Sequence, residues 1–227
     1  MTDPRIIVAI DTFDLGEASA ILDQLDPDLC KIKIGSVVFN SLGKSFLNEA
    51  SSRGFKIFLD LKLHDIPNTV YETILGFHDC PIDMLTVHLS GGEEMLKKAM
   101  LAGKSINTKV IGVSILTSLK ESDTMALFDN KLDHQIRNLF EIAVKANLDG
   151  VVCSPHELEM SNTILNSDSI KITPGIRDIR VEDDQSRTMS AKEAIEKGAT
   201  FLVIGRPITQ AQNILTALNI FSDSIEK

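Results

Sequence analysis

The chain lacks the cysteine content and spacing of a disulfide-stapled or zinc-binding protein. Its three cysteines, Cys30, Cys80 and Cys153, lie far apart in 227 residues, so we expect free thiols in a reducing, cytoplasmic compartment. No apolar run reaches the roughly 20 residues that a membrane-spanning helix requires. Residues 1–5 do not resemble a signal peptide, so we expect neither a secretory leader nor a membrane as partner.

The chain also lacks an excess of positive charge. Its formal net charge is −9, which argues against a nucleic-acid partner, because a nucleic-acid backbone requires a basic face. A small anionic ligand remains possible in a pocket whose local charge opposes that of the whole chain. With 43% apolar and 24% charged residues, the composition is that of a globular protein with a substantial core.

Apolar segments with the pattern of strands alternate with segments of helical pattern along the whole chain. Asp14 and Glu17 resemble a capping box at the start of the first helix, Gly54 suits the end of the second, and Pro67 suits the start of the third. The predicted strands cover residues 6–11, 29–35, 57–63, 83–89, 109–117, 150–154, 169–176 and 201–206. The second helix is predicted over about residues 39–53, and one long helical region that ends at about residue 147 is predicted after the fifth strand.

Eight strand–helix units in a chain of this length predict an α/β fold, a (β/α)8 TIM barrel with a parallel sheet. No linker or change of composition divides the chain, so residues 1–227 are predicted to form a single domain. The alternative is an open doubly wound sheet. That fold usually carries a glycine-rich turn after its first strand, whereas here Asp11-Thr-Phe-Asp14 follows.

The third predicted strand carries unusual charge. Its apolar residues alternate with Phe58, Asp60 and Lys62, so the two charged side chains share one face, about 6–7 Å apart along the strand. Asp65 follows three residues after Lys62. Unpaired buried charges cost several kcal/mol, so we interpret this lysine between two carboxylates as functional and not as a purely structural ion pair.

Further polar residues stand where other predicted strands end. Function in a (β/α)8 barrel is located at the carboxyl ends of the strands, so these side chains should meet at one mouth. The inward-pointing cations among them supply the local positive charge that an anionic ligand needs. The strand-end candidates are Asp11, Lys33, Asp60, Lys62, His88, Thr117, Arg177 and Arg206.

A phosphate site is predicted after strands seven and eight, where barrels often bind phosphate. Strand seven ends in Pro174-Gly-Ile-Arg177 and strand eight in Gly205-Arg206. Glycine lets backbone N–H groups approach phosphate oxygens, and arginine is a planar, bidentate donor. The long polar loop 178–190, which contains Gln185, suits a lid that closes over the phosphate.

The histidines raise the alternative of a metal site. His64 and His88 lie near strand ends, but a zinc-dependent barrel epimerase would need further His and Asp ligands that converge with them. We therefore expect no metal, and we interpret His88 as a structural, hydrogen-bonding residue behind the site.

Taken together, these motifs resemble the orotidine 5′-phosphate decarboxylase family over nearly the whole chain. The core is Asp-x-Lys-x-x-Asp at residues 60–65, and sibling barrels that act on sugar phosphates share it. The continuation Asp65-Ile-Pro-Asn-Thr69 and the phosphate residues Arg177, Gln185 and Arg206 make the resemblance specific. Further matching segments are residues 9–11, 31–33, 116–118, 184–187 and 205–206.

The resemblance implies cofactor-free decarboxylation of orotidine 5′-monophosphate to UMP and CO2, the last step of de novo UMP synthesis. Lys62 would be the proton donor, and the nearby carboxylates Asp60 and Asp65 favour its charged form, which argues against a Schiff-base aldolase. The resemblance also implies a homodimer with shared active sites, into which Asp65, Ile66 and Thr69 reach from the neighbouring subunit. The implied substrate-binding residues are Asp11, Lys33, Asp60, Ile66, Thr69, Thr117, Arg177, Gln185, Gly205 and Arg206. The implied catalytic residues are Lys62, Asp60, Asp65 and Lys33, the last as part of the charge network around the proton donor.

Two other functions stay open at this level. One is a sibling sugar-phosphate enzyme, such as a metal-dependent 3-keto-gulonate phosphate decarboxylase or a pentulose-phosphate epimerase. The other is a catalytically silent nucleotide-binding barrel, which the presence of Asp60, Lys62 and Asp65 together disfavours.

Overall fold

In the computed structural model, which describes residues 4–177 and 189–226, eight parallel strands close into a barrel in chain order. The closure is direct, because Ile6 on the first strand pairs with Leu202 on the eighth. The (β/α)8 fold is therefore confirmed, and the open doubly wound alternative is wrong. The strands are β1 Ile6–Ile10, β2 Cys30–Gly35, β3 Ile57–Leu63, β4 Met84–His88, β5 Lys109–Val113, β6 Gly150–Val152, β7 Ile170–Thr173 and β8 Phe201–Ile204.

Helices follow the strands around the outside of the barrel. None of the helices within residues 4–177 and 189–226 is both long and apolar enough to cross a membrane. That residues 1–227 make a single domain stays a prediction. The helices are α1 Leu15–Asp23, α2 Ser36–Ser52, α3 Pro67–Leu75, α4 Glu93–Ser105, α5 Glu121–Phe128, α6 Leu132–Lys145, α7 Leu158–Ile164, α8 Ala191–Glu196, α9 Arg206–Thr209 and α10 Ile214–Glu226.

Local sequence explains several helix boundaries. The Asp14 side chain accepts a hydrogen bond from the Glu17 backbone N–H at 2.8 Å and caps α1, and α3 begins at Pro67 as predicted. Two boundaries differ from expectation. Helix α2 begins before residue 39 and is kinked at Gly43, whose φ is 63°. The single helical region predicted before residue 147 is two helices, because Asp129 adopts left-handed backbone angles and ends α5.

The core has two layers, one between the strands and the helices and a smaller one inside the barrel. The inner layer is packed from side chains of the inward parity of several strands, as expected for a closed barrel of eight strands. Its buried members are Ile7, Ala9, Phe58, Met84, Ile111, Ile172, Phe201 and Val203.

A buried lysine lies at the amino-terminal ends of the strands, which form the floor of the barrel. Lys31 is 1% exposed, its Nζ lies 2.7 Å from Asp83 Oδ2, and it sits 4.7 Å from the ring centroid of Phe201. Asp83 also pairs with Lys109, whose Nζ lies 2.9 Å from Asp83 Oδ1. Pairing and ring contact together allow a full charge to be buried at this position.

The three cysteines are free thiols, as the sequence predicted, and all three are buried. Burial, together with the nearby Asp26 carboxylate, raises the pKa of the Cys30 thiol to about 12. Such a thiol stays protonated near neutral pH, so it acts as a packing residue and not as a nucleophile.

Candidate active site

A pocket of about 410 Å³ opens at the carboxyl ends of the strands. It collects charged side chains from the ends of β1, β2 and β3 and arginine-bearing loops after β7 and β8. The sequence-predicted residues that line it are Asp11, Lys33, Asp60, Lys62, Thr117, Arg177, Gly205 and Arg206.

Strand β3 bulges where its charged residues lie. Leu59 pairs with Leu85 of β4 and Leu63 pairs with Val87, so three residues of β3 stand opposite the single β4 residue between them. Lys62, inside this bulge, has a φ of 51°, and the left-handed conformation costs a residue with a Cβ about 1–2 kcal/mol. Backbone strain of this kind tends to occur at functional sites.

Four charged side chains of alternating sign form a row across the pocket. Lys33 Nζ lies 3.4 Å from Asp11 Oδ1 and 3.6 Å from Asp60 Oδ2. Lys62 Nζ lies 2.8 Å from the same Asp60 oxygen. Asp60 is buried, whereas the Asp11 side chain is 58% exposed at the outer end of the row. Because each cation contacts at least one carboxylate, the row can hold two lysines at the mouth of the barrel.

The same contacts fix the protonation of Asp60. Burial is the largest single influence on Asp60 and raises its pKa, but the charges of Lys33 and Lys62 and the hydrogen bonds to Asp60 together outweigh burial. Hydrogen bonds from Lys62 and Thr86 act in the same direction as the lysines. The pKa of Asp60 therefore lies below its ordinary value, and the side chain is an anion near neutral pH.

Sequence reasoning missed two residues of the site. Thr86 on β4 is fully buried and hydrogen-bonds to both Asp60 and the Lys62 backbone. A polar residue on the inward parity of an apolar strand, between Met84 and His88, was the signal that could have found it. Gln210 lines the pocket one helical turn after Arg206, and nothing in its sequence context distinguishes it.

The two histidines near strand ends form a pair beside the site. The ring centroids of His64 and His88 lie 5.4 Å apart. Burial is the main cause that lowers the pKa of His88, and the nearby His64 and Lys62 add to it. No group of three or more potential metal ligands occurs among the residues that the structure describes.

The loops after β7 and β8 bring glycine and arginine to the pocket, as predicted. The backbone N–H of Arg177 donates to Met189 O at 2.9 Å, and the Met189 N–H donates to Gly175 O at 3.2 Å. This short parallel bridge holds Arg177 at the pocket wall. At Gly205, an added Cβ would lie 3.6 Å from the Ala9 Cβ, so this glycine leaves the backbone bare beside β1. Gln185 and most of the predicted lid, residues 178–188, lie outside the described residues.

Three predicted site residues do not line this pocket. Asp65 is exposed, and its Oδ1 accepts a hydrogen bond from the Ile66 backbone N–H at 2.7 Å. Ile66 is 67% exposed, and Thr69 is exposed on α3. Within residues 4–177 and 189–226, Lys62 forms an ion pair with Asp60 and not with Asp65. These residues therefore form no part of the pocket of their own chain.

A closed barrel of eight strands with a charged pocket at their carboxyl ends defines an enzyme of the (β/α)8 class. The sequence model of the orotidine 5′-phosphate decarboxylase/HUMPS family matches residues 4–220, and the chain belongs to this family. The chain is 41% identical to orotidine 5′-phosphate decarboxylase of Actinobacillus succinogenes over 229 aligned positions, which cover 98% of each chain.

A second relative and a solved structure agree with this assignment. The chain is 42% identical to orotidine 5′-phosphate decarboxylase of Haemophilus ducreyi, with 98% of this chain and 99% of the relative covered. The crystal structure of orotidine 5′-phosphate decarboxylase from Lactobacillus acidophilus superimposes with a TM-score of 0.88 at 30% identity, covering 99% of this chain and 100% of that one.

Proposed function

We propose that this chain converts orotidine 5′-monophosphate to UMP and CO2, the last step of de novo UMP synthesis. The observation that carries the proposal is the row of alternating charges that ends in Lys62, in the same pocket as the two arginine-bearing loops. The name shared by the relatives supports orotidine 5′-monophosphate as substrate over the sugar phosphates of sibling barrels.

The reaction is chemically demanding. When the bond between C6 of the pyrimidine and the carboxylate carbon breaks, its electron pair remains on C6, and no adjacent carbonyl group delocalises it. A useful rate requires a barrier reduction on the order of 20 kcal/mol. The site must therefore stabilise a localised negative charge that does not exist in the substrate.

Lys62 suits this task. As an ammonium group at the pocket wall, it stabilises negative charge that develops on C6 and then transfers one proton to that carbon. CO2 leaves with the carboxylate oxygens, UMP gains the C6–H bond, and the neutral lysine recovers its proton from solvent. The strained backbone and the 2.8 Å contact with Asp60 fix the starting point of this transfer.

Asp60 and its neighbours hold the proton donor in place. Asp60 is an anion between Lys33 and Lys62, and it lies where the substrate carboxylate would approach Lys62. Asp11 and Lys33, at the more open end of the row, would bind the ribose hydroxyls. Each group is held by a partner before substrate arrives, which reduces the reorganisation needed in the transition state.

The remaining walls divide the pocket by polarity. Thr117 and the apolar side chains of Phe58, Val113 and Val152 form a surface that suits the pyrimidine base. Arg177, Gly205 and Arg206 form the opposite, cationic wall and would bind the phosphate, together with Gln185. Phosphate lies far from C6, so its binding energy acts by positioning the base against Lys62.

The proposed assembly is a homodimer with shared active sites in the cytoplasm. Asp65, Ile66 and Thr69 are exposed and do not line their own pocket, although they follow directly after the catalytic strand. The exposure of these three residues is explained if they complete the active site of a second copy of the chain. Asp65 would then supply the second carboxylate beside the partner copy's proton donor.

The direct test is an ultraviolet assay of orotidine 5′-monophosphate with purified protein stripped of metal by EDTA. We expect conversion to UMP with release of one CO2 per substrate, at a rate that added divalent metal does not change. No conversion by folded protein would overturn the proposal. Activity only with added metal would favour a metal-dependent sibling reaction instead.

A further inference from the structure

We infer that Thr86 is a positioning residue that holds both the backbone of Lys62 and the carboxylate of Asp60 through its single hydroxyl group. This inference rests on the proposed function, because it concerns how the proton donor of that reaction is kept in place. Thr86 does not line the substrate pocket, so it would act through its two partners and not by contact with substrate.

The hydroxyl of Thr86 joins two groups of the same strand. The backbone N–H of Lys62 donates to Thr86 Oγ1 at 2.8 Å, and Thr86 Oγ1 donates to Asp60 Oδ1 at 3.0 Å. A hydroxyl can accept and donate at the same time, and the Thr86 hydroxyl makes both bonds directly in a fully buried position.

The position of Thr86 in the sheet gives this contact its function. Strand β3 places three residues opposite Thr86, where a regular ladder would place one. A bulge removes regular ladder hydrogen bonds, so the Lys62 N–H needs another acceptor. Thr86 supplies that acceptor and stabilises the left-handed conformation of Lys62 from the neighbouring strand.

The second bond of the hydroxyl orients Asp60. With Oδ1 held by Thr86, the other carboxylate oxygen, Oδ2, faces Lys62 at 2.8 Å and Lys33 at 3.6 Å. If the Thr86 bond were lost, the carboxylate could rotate and the distances to both lysines would change. The buried Thr86 hydroxyl therefore holds the backbone of Lys62 and also orients Asp60, the carboxylate that pairs with the Lys62 ammonium group.

The same contact predicts an effect on pH dependence. The hydrogen bond from Thr86 is one of the causes that hold the pKa of Asp60 below its ordinary value. The other titratable groups that interact with Asp60 are Lys33 on β2, Lys62 on β3 and His88 on β4, all of which remain when only the hydroxyl is removed. Removing the hydroxyl should move the acid limb of the kcat profile to higher pH.

The test compares two substitutions at Thr86 with one at a distant threonine. Thr86→Val removes the hydroxyl and keeps the shape, whereas Thr86→Ser keeps the hydroxyl. Thr108→Val is the matched control, because Thr108 is also buried and its Oγ1 donates to Ile82 O at 2.9 Å, at the floor of the barrel and far from the pocket.

We expect Thr86→Val to lower kcat roughly 10²-fold, since small misplacement of a catalytic group has effects of this size. UMP should bind within about threefold of wild type, because the loss concerns the transition state. Thr86→Ser should restore most of kcat and the wild-type pH profile. Thr108→Val should lower only the melting temperature. Wild-type kcat and pH profile in Thr86→Val would overturn the inference, as would a loss that serine does not restore.

Hydrogen exchange of the wild-type protein tests the same contact without a variant. The Lys62 amide, followed by NMR, should exchange slowly because it donates to a buried hydroxyl. Fast exchange of this amide in a protein whose β4 amides are protected would overturn the inference. If wild type itself releases no CO2 from orotidine 5′-monophosphate, the proposed function fails, and the exchange result still decides whether Thr86 holds the Lys62 backbone.

Discussion

Lys62 Nζ lies 2.8 Å from Asp60 Oδ2, although the two residues are separated by only one position in a strand. In a regular strand their Cα atoms would be 6–7 Å apart, roughly twice the rise per residue, with side chains roughly parallel. The ion pair coincides with the bulge in β3 and with the left-handed φ of Lys62. The proton donor and its anion therefore lie on the one irregular segment of β3.

Lys62→Ala should abolish turnover while leaving ligand binding largely intact. Removing a general acid that also stabilises charge should lower kcat by at least about 10³-fold. UMP affinity, measured by calorimetry, should change far less than kcat. Lys104→Ala, on the exposed face of α4, is the control and should match wild type. Full turnover by Lys62→Ala would contradict the mechanism.

Shared active sites predict complementation between two inactive variants. Lys62→Ala and Asp65→Ala homodimers should each have little activity. After mixing and subunit exchange, hybrid dimers should regain activity at one of their two sites, because one site then contains both native residues. Exchange is verified by mass spectrometry of isotope-labelled subunits. Absence of recovery despite confirmed exchange would argue that Asp65 acts within its own chain.

The ionised form of Asp60 should make a pH-dependent contribution to stability. Its folded-state pKa is lower than that of the unfolded chain, so the contribution is fully present above the unfolded value, about 3.9, and is lost as pH falls through the folded value. The difference in free energy of unfolding between wild type and Asp60→Asn should be constant near neutral pH and shift in favour of Asp60→Asn as the pH falls. Urea unfolding at a series of pH values measures it. If wild type instead gained stability relative to Asp60→Asn as the pH falls, the pKa of Asp60 would not be lowered in the folded protein.

Arg206→Ala should weaken substrate binding through the phosphate. We expect KM for orotidine 5′-monophosphate to rise on the order of 10²-fold, because a charge-assisted contact of about 1.5–3 kcal/mol is lost. The KM of Arg206→Lys should lie between those of wild type and Arg206→Ala, since lysine keeps the charge but lacks the bidentate geometry. Arg137→Ala, on the exposed face of α6, is the matched control. An equal effect on the unphosphorylated nucleoside orotidine would argue against a phosphate contact.

Lys31→Met should lower stability without lowering activity. Lys31 lies at the floor of the barrel, where residues serve stability, and Asp83 keeps its second partner, Lys109, in the variant. We expect a loss of about 1.5–3 kcal/mol, typical of a buried hydrogen bond to a charged group. Chemical unfolding measures the loss, and kcat should be unchanged at a temperature where both proteins are folded. A lower kcat with an unchanged free energy of unfolding would contradict the assignment of Lys31 to stability and not to catalysis.

Much of the fold and the pocket could be predicted from sequence, because both depend on local patterns. Strand periodicity and parity located Asp11, Lys33 and Asp60, and the position of strand ends in a barrel brought Arg177 and Arg206 to the same pocket. These inferences need only the number of strands and the direction of their side chains.

The features that sequence did not predict depend on contacts between strands. The bulge of β3 is defined by its register with β4, which no pattern within β3 encodes, and Thr86 gains its role only from that register. The division into α5 and α6 was missed because a left-handed Asp129 is not apparent from hydrophobic periodicity. Asp65 lies three residues after Lys62, so the sequence suggested a carboxylate beside that lysine. Its exposed position follows from the path of the chain after β3, which the sequence does not show.

The packed floor beneath the pocket also affects molecular traffic. In the part of the chain that the structure describes, Phe58, Met84 and Phe201 are buried inside the barrel, and Lys31 is buried against the Phe201 ring. Because these side chains fill the interior, we expect nucleotide and CO2 to pass through the mouth at the carboxyl ends of the strands, where the pocket lies. Substrate and both products then share one route, so UMP must depart before the next substrate molecule can enter.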